Sequence, residues 1–570
     1  MAKAVSNAIK AAVSAFVVLT VASFFGPVLG FEIGKAFIMR SLVIAGVGAF
    51  VGTLTAPAPQ GLTNQNFGSK FVSTNPIAPR QIVYGECRVG GTVVYMKTRG
   101  TQNSTLDIIV AIAGHEIQSI EKVFIGKQEA TTSDTTVNST TVKEVTLSDF
   151  VNSENENSFT SGRLIRFTSG LGADNQEMNL HTIATTDFTG DHDLKSIAYV
   201  HLEMVYDAQK LTSIPELSFL VKGKKVFDPR NSSTAFSDNP ALIVRDILTD
   251  TRFGLRATSD EINDNSSAGG NFQTAANACE VPIADKDGNN HNKFTANGFF
   301  DATTASREAI EGVLSSCAGQ LTYTNGKFNI FMGVAQTPTA TITDDDIADE
   351  PTLQNSSGLG NIFNHVKPVF PSAADNFVAT DSFIRKSGNA ESGNSAVDFL
   401  AADTPSGETQ ANYKKLLEMR LPFTTNDSQA QRLGKIALNY QRRTQTITLV
   451  TTLKFLTLQV GDWVYVTNER LSFSDKIFQV VATTFSELGE SDNPILGVKL
   501  TLKEIDANVF AFDVNNDYGT NTSGTIGDDG AISLSAPTNL AGTATTALND
   551  DGSSNSKIDV SFTNATGLTP

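Results

Sequence analysis

Cysteine is scarce in this chain: Cys87, Cys279 and Cys317 lie far apart, with no Cys-x-x-Cys spacing. Neither a disulfide framework nor a zinc ribbon is expected from so few. They read instead as reduced, buried thiols of a chain assembled in a bacterial cytoplasm. Histidine is nearly as rare, and the six at positions 115, 181, 192, 201, 291 and 365 form no His-Glu-x-x-His or similar ligand pair. Each is read as structural. Tryptophan occurs once, at 463, and only 18% of residues are charged. Positive charge is the scarcer sign, with 43 Lys and Arg against 60 Asp and Glu. Phosphate recognition needs clustered Lys and Arg, so no specific nucleic-acid binding is expected. The Gly-x-Ser-x-Gly elbow, the P-loop and a Gly-x-Gly-x-x-Gly following a strand are all missing. No catalytic, cofactor-binding or metal-ligating residue is therefore assigned, and no cofactor is expected. A carboxylate pair for glycoside hydrolysis need not be close in sequence, so that one catalytic class stays open.

Three acidic runs invite a metal reading: Asp344-Asp345-Asp346, Asp285 to Asn289, and Asp513 to Gly519. The second has its glycine at the fourth position and the third at the seventh, whereas a calcium loop of the EF-hand kind needs it at the sixth and a carboxylate at the twelfth. They read as solvated turns.

What the chain does have is length and turn-forming polarity. At 570 residues it is too long for one core and implies three to five domains. Abundant Thr, Ser, Asn and Gly fit β-rich, turn-rich domains better than helical bundles. The net charge of −17 is uneven, because residues 1–60 carry +3 and the remainder −20. An acidic body mainly serves solubility.

Residues 11–30 and 36–56 are apolar segments separated by Glu32 and Lys35, with Gly30-x-x-x-Gly34 and Gly48-x-x-x-Gly52 spacings that let helices approach closely. A signal peptide, a transmembrane hairpin and an apolar helical element buried in an assembly compete here. Phe24-Phe25-Gly26-Pro27 is a poor cleavage site, and burial in an assembly is favoured. Pro57, Pro59 and the polar run to Lys70 read as a linker. From Ala78 the pattern turns to strands, with 81–85 and 91–96 expected as a hairpin joined by Gly90-Gly91, and further strands at 106–113, 119–125, 199–206 and 216–223. The Ser/Thr/Asn/Asp-crowded stretch 128–157 reads as part of an inserted, surface-facing module, with a flexible loop as the alternative.

Asp238-Asn239-Pro240 starts a short amphipathic helix carrying Leu242, Ile243, Ile247 and Leu248 on one face, with Arg245, Asp246 and Thr249 largely outside it and Gly254 closing the element. Further helices are expected at 305–318, with Ile310, Val313, Leu314 and Cys317 on one face, and at 427–440. Leu321 to Met332 reads as a hairpin turning at Asn325-Gly326. Strands follow at 445–454, 463–466, 476–482 and 495–502, with Trp463 packing in the second of two barrels.

The string from Asn239 to Leu255, Asn-Pro-Ala followed by Asp-Ile-Leu-Thr-Asp-Thr-Arg-Phe-Gly-Leu, resembles the central tail hub of long-tailed bacteriophages, the host-specificity protein J family of lambda-like tails. Asn75 to Gly85 with Arg88-Val89-Gly90-Gly91, Lys225 to Arg230, and Gln441 to Val466 with Gly461-Asp462 are similar to other passages of that family, in the same order. Ala536 to Leu540 with Ile558 to Phe562 resembles the opening strands of a fibronectin type III domain.

The resulting fold class is mainly β and multidomain (α+β): an apolar helical N-terminal segment at 1–60; a first hub β-barrel from 61–100 and 196–230; an inserted β-rich module at 101–195; a mixed α/β hub domain at 231–345; a second hub β-barrel at 346–512; a linker at 513–535; and the beginning of a fibronectin type III-like domain at 536–570. Such a sandwich needs about 90–100 residues, so a longer natural product is expected. The resemblance implies a homotrimer at the distal tip of the phage tail. It would close the tail tube, hold the tape-measure protein, bind the distal tail protein and other tail-tip proteins, and link to receptor-binding or fibre proteins. The three apolar N-termini would cluster near the threefold axis, with a later contact with the host membrane during DNA delivery. Two readings of other classes remain: a tail-associated cell-wall or polysaccharide-degrading enzyme, and a membrane-anchored surface adhesin.

Overall fold

Strands outnumber helices in the computed structural model, which describes residues 78–518 apart from 127, 138–139, 147–164, 177–191, 207–213, 268, 286–287, 356–362, 364, 383–415 and 489–494, together with 538–548 and 554–563. The fold is mainly β and multidomain. The chain divides into two units, Met1–Gly519 and Thr520–Pro570.

The first sheet is built from β2 to β11. In chain order, β1 is Gln81–Tyr84, β2 Glu86–Val89, β3 Thr92–Arg99, β4 Thr105–Ala113, β5 Ile117–Ile125, β6 Gln128–Val137, β7 Thr140–Thr146, β8 Ile165–Leu171, β9 Ala198–Val205, β10 Leu217–Asp228 and β11 Ser233–Phe236. Its order is β11-β10-β5-β6-β7-β8-β9-β4-β3, with β2 also on β10. Residues 101–195 thus contribute β4 to β8 to the same sheet as their flanks. Period-two alternation points Ile108, Val110 and Ile112 of β4, Val200 and Leu202 of β9, and Phe219 and Val221 of β10 into one core.

The hairpin expected between 81–85 and 91–96 does not form. β1 instead pairs with Gly298–Asp301, β2 with β10, and β3 with β4. Gly85 is the cause: it sits at φ +62°, and a Cβ there would lie 2.3 Å from the carbonyl oxygen of Ala296, so the chain breaks between β1 and β2 and turns away.

A mixed α/β region follows, comprising α1 (Pro240–Thr249), α2 (Phe272–Cys279), the β12–β13 hairpin (Pro282–Ala284, Asn290–Asn292), β14 (Gly298–Asp301), α3 (Ser306–Ser315) and the β15–β16 hairpin (Gln320–Thr324, Lys327–Phe331). Asn325 and Gly326 both have positive φ, as a two-residue turn between twisted strands requires. Ile310, Val313, Leu314 and Cys317 are buried, as expected. α1 ends at Thr249, earlier than the glycine stop expected at 254. Gly254 instead lets the chain fold back against the helix end, where a Cβ would meet the Ile247 carbonyl at 2.1 Å and the Leu255 amide donates to that same oxygen at 3.0 Å.

The last part of this unit holds β17 (Ala340–Ile342), β18 (Thr352–Gln354), β19 (His365–Ser372), β20 (Val378–Asp381), β21 (Leu416–Arg420), α4 (Asp427–Arg442), β22 (Thr446–Thr451), β23 (Trp463–Asn468), β24 (Phe473–Leu488), β25 (Ile495–Glu504) and α5 (Val514–Asp517). Six strands form a sheet in the order β17-β23-β24-β25-β22-β18, and β20-β19-β21 form a smaller one. The six-stranded sheet is strongly curled. Ile342 pairs with β23 near one edge, while Ile347 bridges to Thr451 of β22 at the other. Five residues reach about 17 Å at most, whereas six flat strands would separate those edges by about 24 Å. Inside the curl lie Ile342, Leu449, Val464, Val466, Phe478, Val480 and Leu500.

Trp463 departs from its expected place in that barrel core. It lies on β23 but faces the opposite way from Val464 and Val466, into the large core shared by α1, α3 and α4, with its ring stacked 5.9 Å from that of Phe510. Thr538–Leu548 and Ser554–Thr563 pair as an antiparallel hairpin in the second unit, on the stretches that resemble a fibronectin type III opening. The apolar segments at 11–30 and 36–56 lie outside the described residues. Among those described, no helix is long and apolar enough to cross a membrane.

Candidate functional site

Two of the strings singled out in the sequence, those holding Tyr84 and Lys225 to Arg230, meet α1. Asn239 is its N-cap and Pro240 its first residue, the side-chain oxygen of Asn239 accepting the Ala241 amide at 3.0 Å. The Asn239 amide also donates to the Ala276 carbonyl at 3.0 Å and to Glu280 at 2.9 Å, so one side chain starts α1 and holds the end of α2. Its replacement by alanine is expected to destabilise the protein by about 2 kcal/mol, the upper end for a lost cap, because the bonds to α2 go as well. The midpoint of urea unfolding measures this.

Three ion clusters surround the helix. Lys224 of β10 pairs with Asp246 at 2.6 Å and with Asp250, and the Tyr84 hydroxyl of β1 donates to the same Asp246 oxygen at 2.6 Å. Burial opposes charge on Lys224, but Asp246 and Asp250 outweigh it and hold the ammonium above its usual range. At Asp250 burial is again the largest influence, overcome by Lys224 and by the amides of Phe253 and Arg252, so that its carboxyl lies below the ordinary value. Arg230 forms two forks, to Asp228 at 2.7 and 2.9 Å and to Glu280 at 2.6 and 2.8 Å. Arg245 grips Asp264 at 2.7 Å and lies over the Phe227 ring at 4.8 Å. The face of α1 read as largely outside the apolar stripe is therefore partnered: Arg245 is buried and Asp246 nearly so.

A second polar cluster lies on the face of the first sheet opposite its apolar core. His201 is fully buried, 3.2 Å from Asp107, whose other oxygen takes Arg99 at 2.6 Å. Glu203 beside it meets Arg99 at 3.3 Å and Arg166 at 3.4 Å. His201, Asp107, Glu203 and Arg166 are buried and Arg99 reaches the surface, and the arrangement serves packing between β3, β4, β8 and β9. His115 is also buried, its Nε2 accepting the Val83 amide at 2.8 Å while Nδ1 donates to the Glu116 carbonyl at 2.8 Å.

The acidic runs are spent on local structure. Asp344 takes the Glu469 amide at 3.0 Å and the Asn468 side chain; Asp346 caps a turn at Thr343 and pairs with Lys454 at 2.8 Å. Asp285 holds the Asn289 amide across the β12–β13 turn, and Asp517 pairs with Lys435 of α4. All three cysteines are free and buried. Tyr84, Lys224, Asp264 and Glu280 were not singled out individually by the sequence, because their partners are remote in it. The available signal was that Tyr84 and Lys225 to Arg230 fall in or beside resembling strings.

What this geometry can do is mechanical. It ties β10 of the first sheet, and β1 outside it, to a buried helix of the α/β region through charged, directional contacts. Residues 305–483 match a family described as "Putative phage tail protein". The chain also resembles in fold a chain from the virion of the native gene transfer agent (GTA) particle, at TM-score 0.51 and 14% identity over 84% of this chain and 96% of that one. The 43 kDa tail protein of prophage MuSo2 from Shewanella oneidensis aligns at TM-score 0.26 and 9% identity, over 76% of this chain and 99% of that one. No curated protein matches.

Proposed function

We propose that this chain is a phage tail protein, the structural hub of the tail tip, a non-enzymatic virion component in which three copies close the distal end of the tail tube. The hub holds the tape-measure protein and joins the distal tail protein and other tip proteins to the receptor-binding parts, for host recognition and DNA delivery. The observation that carries this reading is the pair of separate β cores in one chain, one under the ten-stranded sheet and one inside the curled six-stranded sheet. Three chains would supply six such cores, which suits a threefold ring seated on a sixfold tube. The ion-locked helix α1 fits the role, because a hub must transmit force between its parts without shearing. Native mass spectrometry of the hub released from tails tests the proposal: three copies are expected, and a monomer, dimer or hexamer would overturn it.

A further inference from the structure

Trp463 of β23 and Gln479 of β24 stand directly opposite each other in register. Both are buried, at 1% and 5% exposure. The Gln479 amide nitrogen donates to the side-chain oxygen of Gln320 at 3.0 Å and to the Gly461 carbonyl at 3.4 Å, which turns its own oxygen the other way. Among the described residues that oxygen accepts no hydrogen bond, and the indole N–H of Trp463 finds no acceptor.

Both residues line a cavity of about 20 Å³, together with Phe331, Met332, Tyr440 and Phe510 and the side chains of Gln320 and Gln336. Gly461, at φ +105°, lets the Phe331 ring come close enough that a Cβ there would sit 2.4 Å from it, and this forms one wall. Apolar cavities of this size stay dry, but one presenting an orphan donor and an orphan acceptor does not, and a water needs only about 10–15 Å³ measured this way.

We infer that the cavity is a binding site for one ordered water, which accepts from the Trp463 indole N–H and donates to the Gln479 side-chain oxygen. The water completes the polar joint between the curled sheet, through β23 and β24, and the α/β region, through Gln320 of β15 and Phe331 of β16. Two buried groups that would each be left unsatisfied are then paired.

Because Trp463 is the chain's sole tryptophan, its fluorescence reports on this one site. In the full chain, Gln479→Met removes the acceptor at similar length. The expected result is a blue shift of the emission, since the hydrated indole becomes dry. In a cycle with Trp463→Phe, the double variant should lose less in Tm than the sum of the two single losses, because both singles disrupt the same water. Unchanged emission with additive losses would overturn the inference. A density map of the native protein at a resolution that places waters decides independently of any variant. Density within hydrogen-bond distance of both Trp463 Nε1 and Gln479 Oε1 is expected, and an empty cavity there refutes the site.

Discussion

Replacing Lys224 by methionine is expected to destabilise the protein by about 3–5 kcal/mol at neutral pH, the range for removing one partner of a buried ion pair. The side chains of Lys224, Asp246 and Asp250 are only 17%, 15% and 14% exposed, so solvent screens them little. Without the ammonium, two buried carboxylates face each other uncompensated. Changing both to asparagine in the same background should recover most of the loss, which distinguishes stranded charge from lost packing. Urea unfolding of the three proteins supplies the comparison. A loss below about 1 kcal/mol would mean that the cluster behaves as a surface pair.

Acidification is expected to weaken the fold before the ion-paired carboxylates titrate, and His115, the more deeply buried of the two histidines whose imidazole burial lowers, is the main reason. Burial pushes its imidazole down to about 4, and its Nε2 is already occupied by the Val83 amide. The unfolded chain binds that proton near pH 6.5, so this contribution is fully present above 6.5, declines as pH falls, and is exhausted near 4. At 1.36 kcal/mol per unit the total is roughly 3 kcal/mol. Carboxyls held below their ordinary range by ion pairs, among them Asp228 and Glu280 beside Arg230, add losses only as pH drops through their own lower values. Stability measured against pH should therefore decline in two stages, and His115→Gln should flatten the first while sparing the second. A single stage starting near pH 4 would refute this assignment.

Local chemistry made much of the fold legible. Asn239-Pro240 places the start of α1, the spacing of Ile310, Val313 and Leu314 gives α3, Ala430, Leu433 and Ile436 give α4, and Asn325-Gly326 gives a turn, because each signal is complete within a few residues. Pairing was not legible. The partner of β1 is β14, far downstream, and β17 pairs in parallel with β23 across the whole of α4. Alternation says which side chains share a face but not which core that face meets, and this is why Trp463 was placed on the wrong side of its strand. The partners of the polar residues of α1 were hidden for a related reason: sequence places Arg245 and Asp246 outside the apolar face, but their counter-ions Asp264 and Lys224 are known only from the fold.

The three buried thiols have a practical consequence. Burial pushes Cys317 up to about 12 and raises Cys87 and Cys279 as well, so almost no thiolate exists in the native chain to meet an alkylating reagent. Labelling then proceeds only through openings of the surrounding structure, at a rate set by how often each part breathes. Cys87 belongs to the core of the first sheet and Cys279 and Cys317 to that of the α/β region, so peptide mapping of label against time would run as two independent clocks in one molecule. The curled sheet, whose core holds no thiol, keeps no such clock. Any assembly that stiffens the protein should slow both, and the ratio between them would tell which of the two cores tightens first.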